Sequence, residues 1–187
     1  MSNTNKELKA LIDEFNQDFK ISSEASRNEA LRRLNGGEKA PASGRIYGEQ
    51  NREEFKSRAR EYAAKASALV QAEIDKLNDK MTEAPTDDAV RALTVVGMRD
   101  NVSREEFEAL LNRYGNNYQS EKTIINLAAK NKIYFDREPL EQKLDDLEGL
   151  GRSLRSTLTL SSAEEHADSA FFKALQSSAI DATIPEE

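Results

Sequence analysis

Few residues in this chain could carry chemistry, and their spacing is poor for it. The single histidine, His166, stands among Glu164, Glu165 and Asp168. A carboxylate–histidine metal site needs ligands three or four residues apart on one helix, repeated on a facing helix. One histidine and no cysteine cannot fill the usual set. His166 therefore reads as a solvated or half-buried side chain near a helix start. Gly149-Leu150-Gly151-Arg152-Ser153 has the glycines of a phosphate loop. It lacks the preceding strand and the GxxxxGK(S/T) spacing that let backbone N–H groups cradle a phosphate. Asp145, Asp146 and Glu148 fall on the outer side of a leucine stripe, as a solvated face rather than an acid–base pair. No catalytic, cofactor-binding or metal-ligating residue is assigned. The expectation is a non-enzymatic protein without a cofactor.

The elements that would position such groups are helices, and their punctuation runs from end to end. Leu8, Leu11, Ile12, Phe15 and Phe19 recur at steps of three and four, one stripe of a first helix. Ile21-Ser22-Ser23 is a candidate interruption, after which residues 24–34 read as helix again, with Ala30, Leu31 and Leu34 apolar. Asn35-Gly36-Gly37 stops it, since glycine readily takes the left-handed conformation past a helix end. Residues 35–50 hold Gly36, Gly37, Gly44, Gly48 and Pro41 and read as a linker or loop. Ile46 and Tyr47 inside it are large apolar groups that would dock on the chain's own core or on a partner.

The second segment, residues 49–82, is the longest expected helix. Phe55, Ala59, Tyr62 and Ala66, then Val70, Ile74, Leu77 and Met81, keep one stripe for about seven turns, with a stutter near Val70 that relaxes left-handed supercoiling. Such a helix would be roughly 50 Å long, and small residues (Ala59, Ala63, Ala66) would let another helix approach closely. This predicts coiled-coil packing against the first segment or another chain. Tyr62, Val70, Ile74, Leu77 and Met81, with Ile46 and Tyr47, are the candidate interaction residues of a homo-oligomer. On the other side Arg52, Lys56 and Arg60 make a basic row. Glu49, Glu53, Glu54 and Glu61 are interleaved, which favours an ion-paired, solvated face over a nucleic-acid track.

Ala84-Pro85 breaks the pattern, and Thr86-Asp87-Asp88 offers an N-cap and first-turn acids for a third helix with Ala89, Val90, Leu93 and Val96 or Gly97 apolar. Ser103 with Glu106 forms a capping box, and Val102 with Phe107 a hydrophobic staple, for a fourth helix through Leu110, Leu111 and Tyr114 to Gly115. Asn117-Tyr118 opens a fifth, with Ile124, Ile125, Leu127 and Ala128 apolar, ending near Asn131-Lys132. The short links resemble helix-turn-helix spacing. The fifth helix would offer Asn116, Asn117, Gln119, Lys122 and Asn126 to a base edge, but the surrounding charge is not basic. Ile133-Tyr134-Phe135 reads as an apolar link under the helices. Glu138-Pro139 starts a sixth helix with Leu140, Leu144, Leu147, Leu154 and Leu158 as its seam. Gly149 and Gly151 mark a kink or a close backbone crossing, with a break as the second reading. Ser162 and Glu165 make another capping box for a last helix with Ala167, Ala170, Phe171, Ala174 and Leu175 apolar, frayed from Gln176.

Composition agrees with long exposed helices. The 187 residues are 37% hydrophobic and 33% charged, a balance that suits narrow buried stripes backed by wide solvated faces. No apolar run approaches the ~20 residues of a membrane helix, the start is polar and reads as no signal peptide, and cysteine is absent. The expectation is a cytoplasmic protein with no membrane partner. The net charge of −7 is concentrated. Residues 1–48, 49–84 and 85–136 are each within one charge of neutral, whereas residues 137–187 hold five basic and eleven acidic groups. That region argues against phosphate contacts and reads as a solubilising face or an acidic patch for a basic partner.

Residues 88–133 resemble small helical proteins encoded by tailed phages and prophages of Gram-positive bacteria. The resemblance lies in Met98-Arg99-Asp100-Asn101-Val102-Ser103, Leu110-Leu111-Asn112-Arg113-Tyr114, Asn117-Tyr118 and Ile125-Asn126-Leu127-Ala128-Ala129-Lys130. It covers about a quarter of the chain, implies a phage setting such as capsid assembly or host interference, and identifies no site. The whole is expected to be all-α: a long N-terminal coiled-coil-like arm and a compact bundle of short helices. Its segments are an N-terminal pair with a Gly-rich loop (1–48), a long oligomerisation helix (49–84), a compact helical subdomain (85–136) and an acidic helical pair with a tail (137–187). The leading expected function is a non-enzymatic interaction or structural protein, an assembly or scaffold-like factor. The alternatives are a host-interference protein that blocks a host factor, and a helical DNA-binding regulator.

Overall fold

The first stripe closes into a helix without the expected interruption. In a computed structural model, which describes residues 4–36, 42–136, 140–166 and 169–184 and gives backbone alone at 33, 42–48 and 170–172, α1 runs unbroken over Thr4–Asn35. α2 is longer than its stripe predicts, Ala42–Thr82. The helical backbone therefore includes Gly44, Ile46, Tyr47 and Gly48, where the sequence reads as a loop. A glycine costs about 1 kcal/mol in a helix, yet each residue added to an existing helix also gains a backbone hydrogen bond, so propagation from a long helix absorbs it. The side chains of Ile46 and Tyr47 lie outside the described residues.

Among the described residues there are six further helices and no strand: α3 (Asp87–Gly97), α4 (Arg104–Tyr114), α5 (Tyr118–Lys130), α6 (Leu140–Thr157), α7 (Leu160–His166) and α8 (Ala170–Thr183). The fold is all-α. No helix among them is long and apolar enough to cross a membrane. The chain divides into two units, Met1–Glu73 with Asp146–Glu187, and Ile74–Asp145. Both divisions fall inside helices, α2 and α6, rather than at the breaks in the sequence pattern.

In the first unit, α1 and α2 are antiparallel. Thr4 Oγ1 donates to Glu73 Oε1 (2.5 Å), Arg58 Nε to Asp18 Oδ2 (2.8 Å) and Asn51 Nδ2 to Ser26 Oγ (2.8 Å), a constant register along the pair. Between them Phe15 lies tilted at 5.5 Å from Phe55 and edge-on at 5.7 Å from Tyr62, contacts that add to the area the rings bury. The α6–α7 arm returns antiparallel to α2, with Arg155 Nε donating to Ser67 Oγ (3.1 Å) and Arg52 paired to Glu164 (2.7 Å). α8 runs antiparallel to α1 through Asn5–Ile184 and Lys9–Asp181. These pairings are those of an up-down-up-down bundle. Its core takes Leu8, Ile12 and Phe15 from α1, Phe55, Ala66 and Val70 from α2, Leu150 and Leu154 from α6, and Ile180 from α8.

Gly151 explains how α6 approaches. A Cβ built there would lie 3.4 Å from Val70 Cγ1. α6 continues through Gly149 and Gly151 without a break, so the close-crossing reading holds at Gly151. The C-terminal expectations need correction. Thr159, not Ser162, caps α7: its Oγ1 accepts from the Ser162 N–H (3.2 Å), which places Ser162 inside the helix. α8 extends to Thr183, beyond the expected fraying at Gln176, because Ile180 is fully buried. Ala174 and Leu175, expected on its apolar face, are exposed. Ala167 and the helix start at Glu138-Pro139 lie outside the described residues, as do the side chains of Ala170 and Phe171.

The second unit is a three-helix cluster around Leu93, Val102, Phe107, Leu111, Ile124 and Ala128. Its caps follow the sequence. Thr86 Oγ1 accepts from Ala89 N–H (3.3 Å). The capping box closes from both sides: Ser103 N–H donates to Glu106 Oε2 (3.0 Å), and Glu106 N–H to Ser103 Oγ (3.3 Å). Both staple residues, Val102 and Phe107, are buried. α5 ends with Lys132 in the left-handed region, φ 60°. Ile133 N–H reaches Ala128 O and Lys132 N–H reaches Ala129 O, both at 2.9 Å, the paired bonds of a Schellman motif. Ile133 and Phe135 pack on the cluster, but Tyr134 is exposed, unlike the expectation of a buried link.

Candidate functional site

The candidate interaction stripe on α2 has two fates. Val70 is buried and Tyr62 half-buried inside the first unit. Burial beside Asp18 and Glu14 raises the Tyr62 phenol above its ordinary value. Phe55, Ala59 and Ala66 of the same stripe are covered by their own chain. Ile74, Leu77 and Met81, in the second unit, are half-buried. The structure therefore fills the N-terminal part of the stripe from within the chain.

The chemistry-bearing residues do not converge. Among the described residues no three His, Asp or Glu side chains are placed to hold a metal ion. His166 is half-exposed with Nε2 at 3.5 Å from Glu165, and Asp168 lies outside the described residues. The tightest polar cluster is Tyr118–Lys122–Glu141. Lys122 Nζ donates to Glu141 Oε1 (2.5 Å) and to Tyr118 Oη (2.8 Å), and Tyr118 donates to the same carboxylate. The Lys122 ammonium and the Tyr118 hydroxyl hold Glu141 down at about 2, and Glu141 in turn raises Lys122. A lysine held this firmly protonated is no base, and a carboxylate held this low is no acid at neutral pH. The cluster ties the start of α6 to α5.

Of the five residues that a base-reading helix would present, Asn117, Gln119 and Lys122 are used internally, whereas Asn116 and Asn126 are exposed. Asn117 caps α5, accepting from Ser120 N–H (3.0 Å), and donates to the carbonyl of Glu83 (3.0 Å). Gln119 Nε2 donates to Met81 O (2.8 Å). Lys122 belongs to the cluster above. The start of α5 is thus committed to the end of α2 and the start of α6.

What the second unit does present is the outer face of α3. Leu93 belongs to the cluster and Ala89 is buried, while Val90, Val95 and Met98 are 47%, 62% and 78% exposed. The sequence reading assigns Val90 to the buried side; the structure places it outside. From Ala92 to Met98 no residue is charged, in a chain where every third residue is. Asp88, Arg99 and Glu106 beside this stretch are paired within the unit, while Arg91 stands exposed at its edge. Asp88 accepts from Tyr114 Oη (2.7 Å) and Arg113 (2.9 Å), and Glu106 from Arg99 (2.7 Å). The Tyr114 bond, then Arg113, lowers Asp88; Arg99 and the Ser103 N–H lower Glu106. The signal in the sequence is that seven-residue uncharged run, longer than one buried stripe needs.

No family model, curated protein or solved structure matches the chain.

Proposed function

We propose that this is a non-enzymatic interaction protein that self-associates through the outer face of α3 and serves as an assembly or scaffold-like factor. The observation that carries the reading is the exposure of Val90, Val95 and Met98, the last two within the uncharged run. Contiguous exposed apolar surface on a small protein marks a contact site. A face of this kind is self-complementary: two copies related by a two-fold axis bury the same side chains on each other. Its charged rim, with Asp88 and Glu106 paired internally and Arg91 exposed, matches the polar rim of a protein interface. The resemblance of residues 88–133 to helical phage proteins supports the assembly role.

Light scattering tests the proposal. The chain mass is 21.0 kDa, and the wild type is expected at a multiple of it at micromolar concentration. Val95→Asp with Met98→Asp should return it to one chain, because association would bury unpaired carboxylates. A wild type at one chain mass throughout that range refutes the proposal.

A further inference from the structure

The first unit carries a second surface with a different chemistry. Where α6 ends and α7 begins, the arm leaves a groove of about 670 Å³ against α2. Ala59 and Ala63 line its floor beside Leu158 and Leu160. Ala59 and Leu158 are buried, so the floor is apolar. The small alanines are what keep it open. Further along α2 the helices close up, with Gly151 against Val70.

The walls are basic. Arg52, Lys56 and Arg60 rise from α2 and Arg155 from α6, against Glu49 and Glu53 at one end. Arg52 is held by Glu164 (2.7 Å) and Lys56 by Glu53 (3.4 Å). Arg155 donates to a neutral acceptor, Ser67 Oγ, and among the described residues no carboxylate pairs with Arg60 or Arg155. Two unneutralised guanidinium groups over an apolar floor run against the character of a chain whose net charge is −7.

We propose that this groove docks an acidic amphipathic helix of a partner protein, its apolar face on the half-buried Ala63 and Leu160 above the buried Ala59 and Leu158, and its carboxylates on Arg60 and Arg155. Helix-in-groove recognition reads apolar anchors at i, i+3, i+4 and i+7, and guanidinium groups pair with carboxylates in a two-pronged geometry. The α2 stretch from Glu49 to Ala63 is about 21 Å long, room for a helix of about 15 residues. Nucleic acid fits less well, since among the described residues no aromatic side chain lines the groove to stack a base. The site is separate from the α3 face, so the failure of either leaves the other standing.

The probe is a fluorescein-labelled helical peptide of about 15 residues, with leucine at those anchor spacings and glutamate on the rest, read by anisotropy against the full chain. The lysine-for-glutamate version is the control. The acidic peptide should bind and the basic one should not. Arg60→Glu with Arg155→Glu should weaken binding at least tenfold. So should raising the salt from about 0.1 M to about 1 M, where the screening length falls to ~3 Å. Ala63→Trp, with an unchanged circular dichroism spectrum, should block it. The proposal is overturned if the acidic peptide fails to bind, if both peptides bind alike, or if the double arginine variant binds as the wild type does. Competition by the parent chain's Val95→Asp/Met98→Asp form that is weaker than wild type would also overturn it, because the α3 face would then be the site. Binding of dodecanoate in place of the peptide would mark a small-amphiphile pocket and sink the helix-docking reading.

Discussion

Gly149 and Gly151 sit two residues apart on α6, have the same intrinsic helix cost, and face different surroundings. Replacing either by alanine removes about 0.5–1 kcal/mol of backbone penalty. At Gly149 a new Cβ meets nothing nearer than Arg152 Nη2 at 4.0 Å, the mobile end of a long side chain. The full gain should appear there. At Gly151 the Cβ would touch Val70 Cγ1 at 3.4 Å and Val70 Cβ at 4.0 Å, an ordinary contact, so alanine should also be tolerated. Leucine separates the sites. At Gly149 its extra carbons have room. At Gly151 they must pass Val70, which is 3% exposed, and overpacking a closed core costs about 1–3 kcal/mol. Urea melts of Gly149→Leu and Gly151→Leu should therefore differ by at least about 1 kcal/mol, or about 2–4 °C in Tm for a chain of this size. Equal stability of the two leucine variants would refute the packing of α6 on α2 at Val70.

Ser103→Ala should destabilise by about 0.5–2 kcal/mol through loss of the cap, and Phe107→Ala by about 3–5 kcal/mol through the cavity left in the α3–α5 cluster; denaturant melts check both. Lys132→Gly should stabilise by up to about 1 kcal/mol, since the left-handed φ of 60° strains any residue with a Cβ, and a melt no better than wild type would contradict that strain. Glu141 is held at about 2 against an ordinary 4.5. Its contribution is thus complete above about pH 4.5 and lost as pH falls towards 2, modest in size because the Lys122 and Glu141 side chains stay 52% and 44% exposed. Glu141→Gln should flatten the stability profile over that window, and an unchanged acid limb would contradict it.

The helices of the second unit were the most legible part of the sequence because their signals are local. Thr86, Ser103 with Glu106, Val102 with Phe107, and Asn117 each act within five residues, and the structure uses all of them. The misread positions are those set by distant groups. Ile180 stands among serines, alanines and Asp181, with only Ile184 as another large apolar residue near it, yet α8, which packs on α1, holds it fully buried. Leu175 sits in the stronger local pattern and is exposed. Glycines at 44 and 48 read as a loop because local propensity is all a sequence displays there, whereas the helix is propagated from Phe55 onward. The Tyr118–Lys122–Glu141 cluster could be half seen, as an i, i+4 pair of Tyr118 and Lys122; its third member comes from another helix.

The α2 stripe shows what periodicity can and cannot say. Apolar residues at steps of three and four state that one face of a helix leaves water; they carry no label for what covers it. The first unit buries all of Phe55, Ala59, Ala66 and Val70, with α1 against Phe55 and α6 against Val70. A second chain would satisfy the same pattern, so the distinction lay in other residues: a glycine at 151 small enough for contact at Val70, and the ring of Phe15 opposite Phe55. By the same reasoning the surfaces that matter for association are those where the pattern exceeds what one chain can cover. On α3 the uncharged run is wider than the buried face made by Ala89 and Leu93. On α2 the small stripe at Ala59 and Ala63 continues past the end of α6 into an open groove, where among the described residues two guanidinium groups, Arg60 and Arg155, have no carboxylate partner.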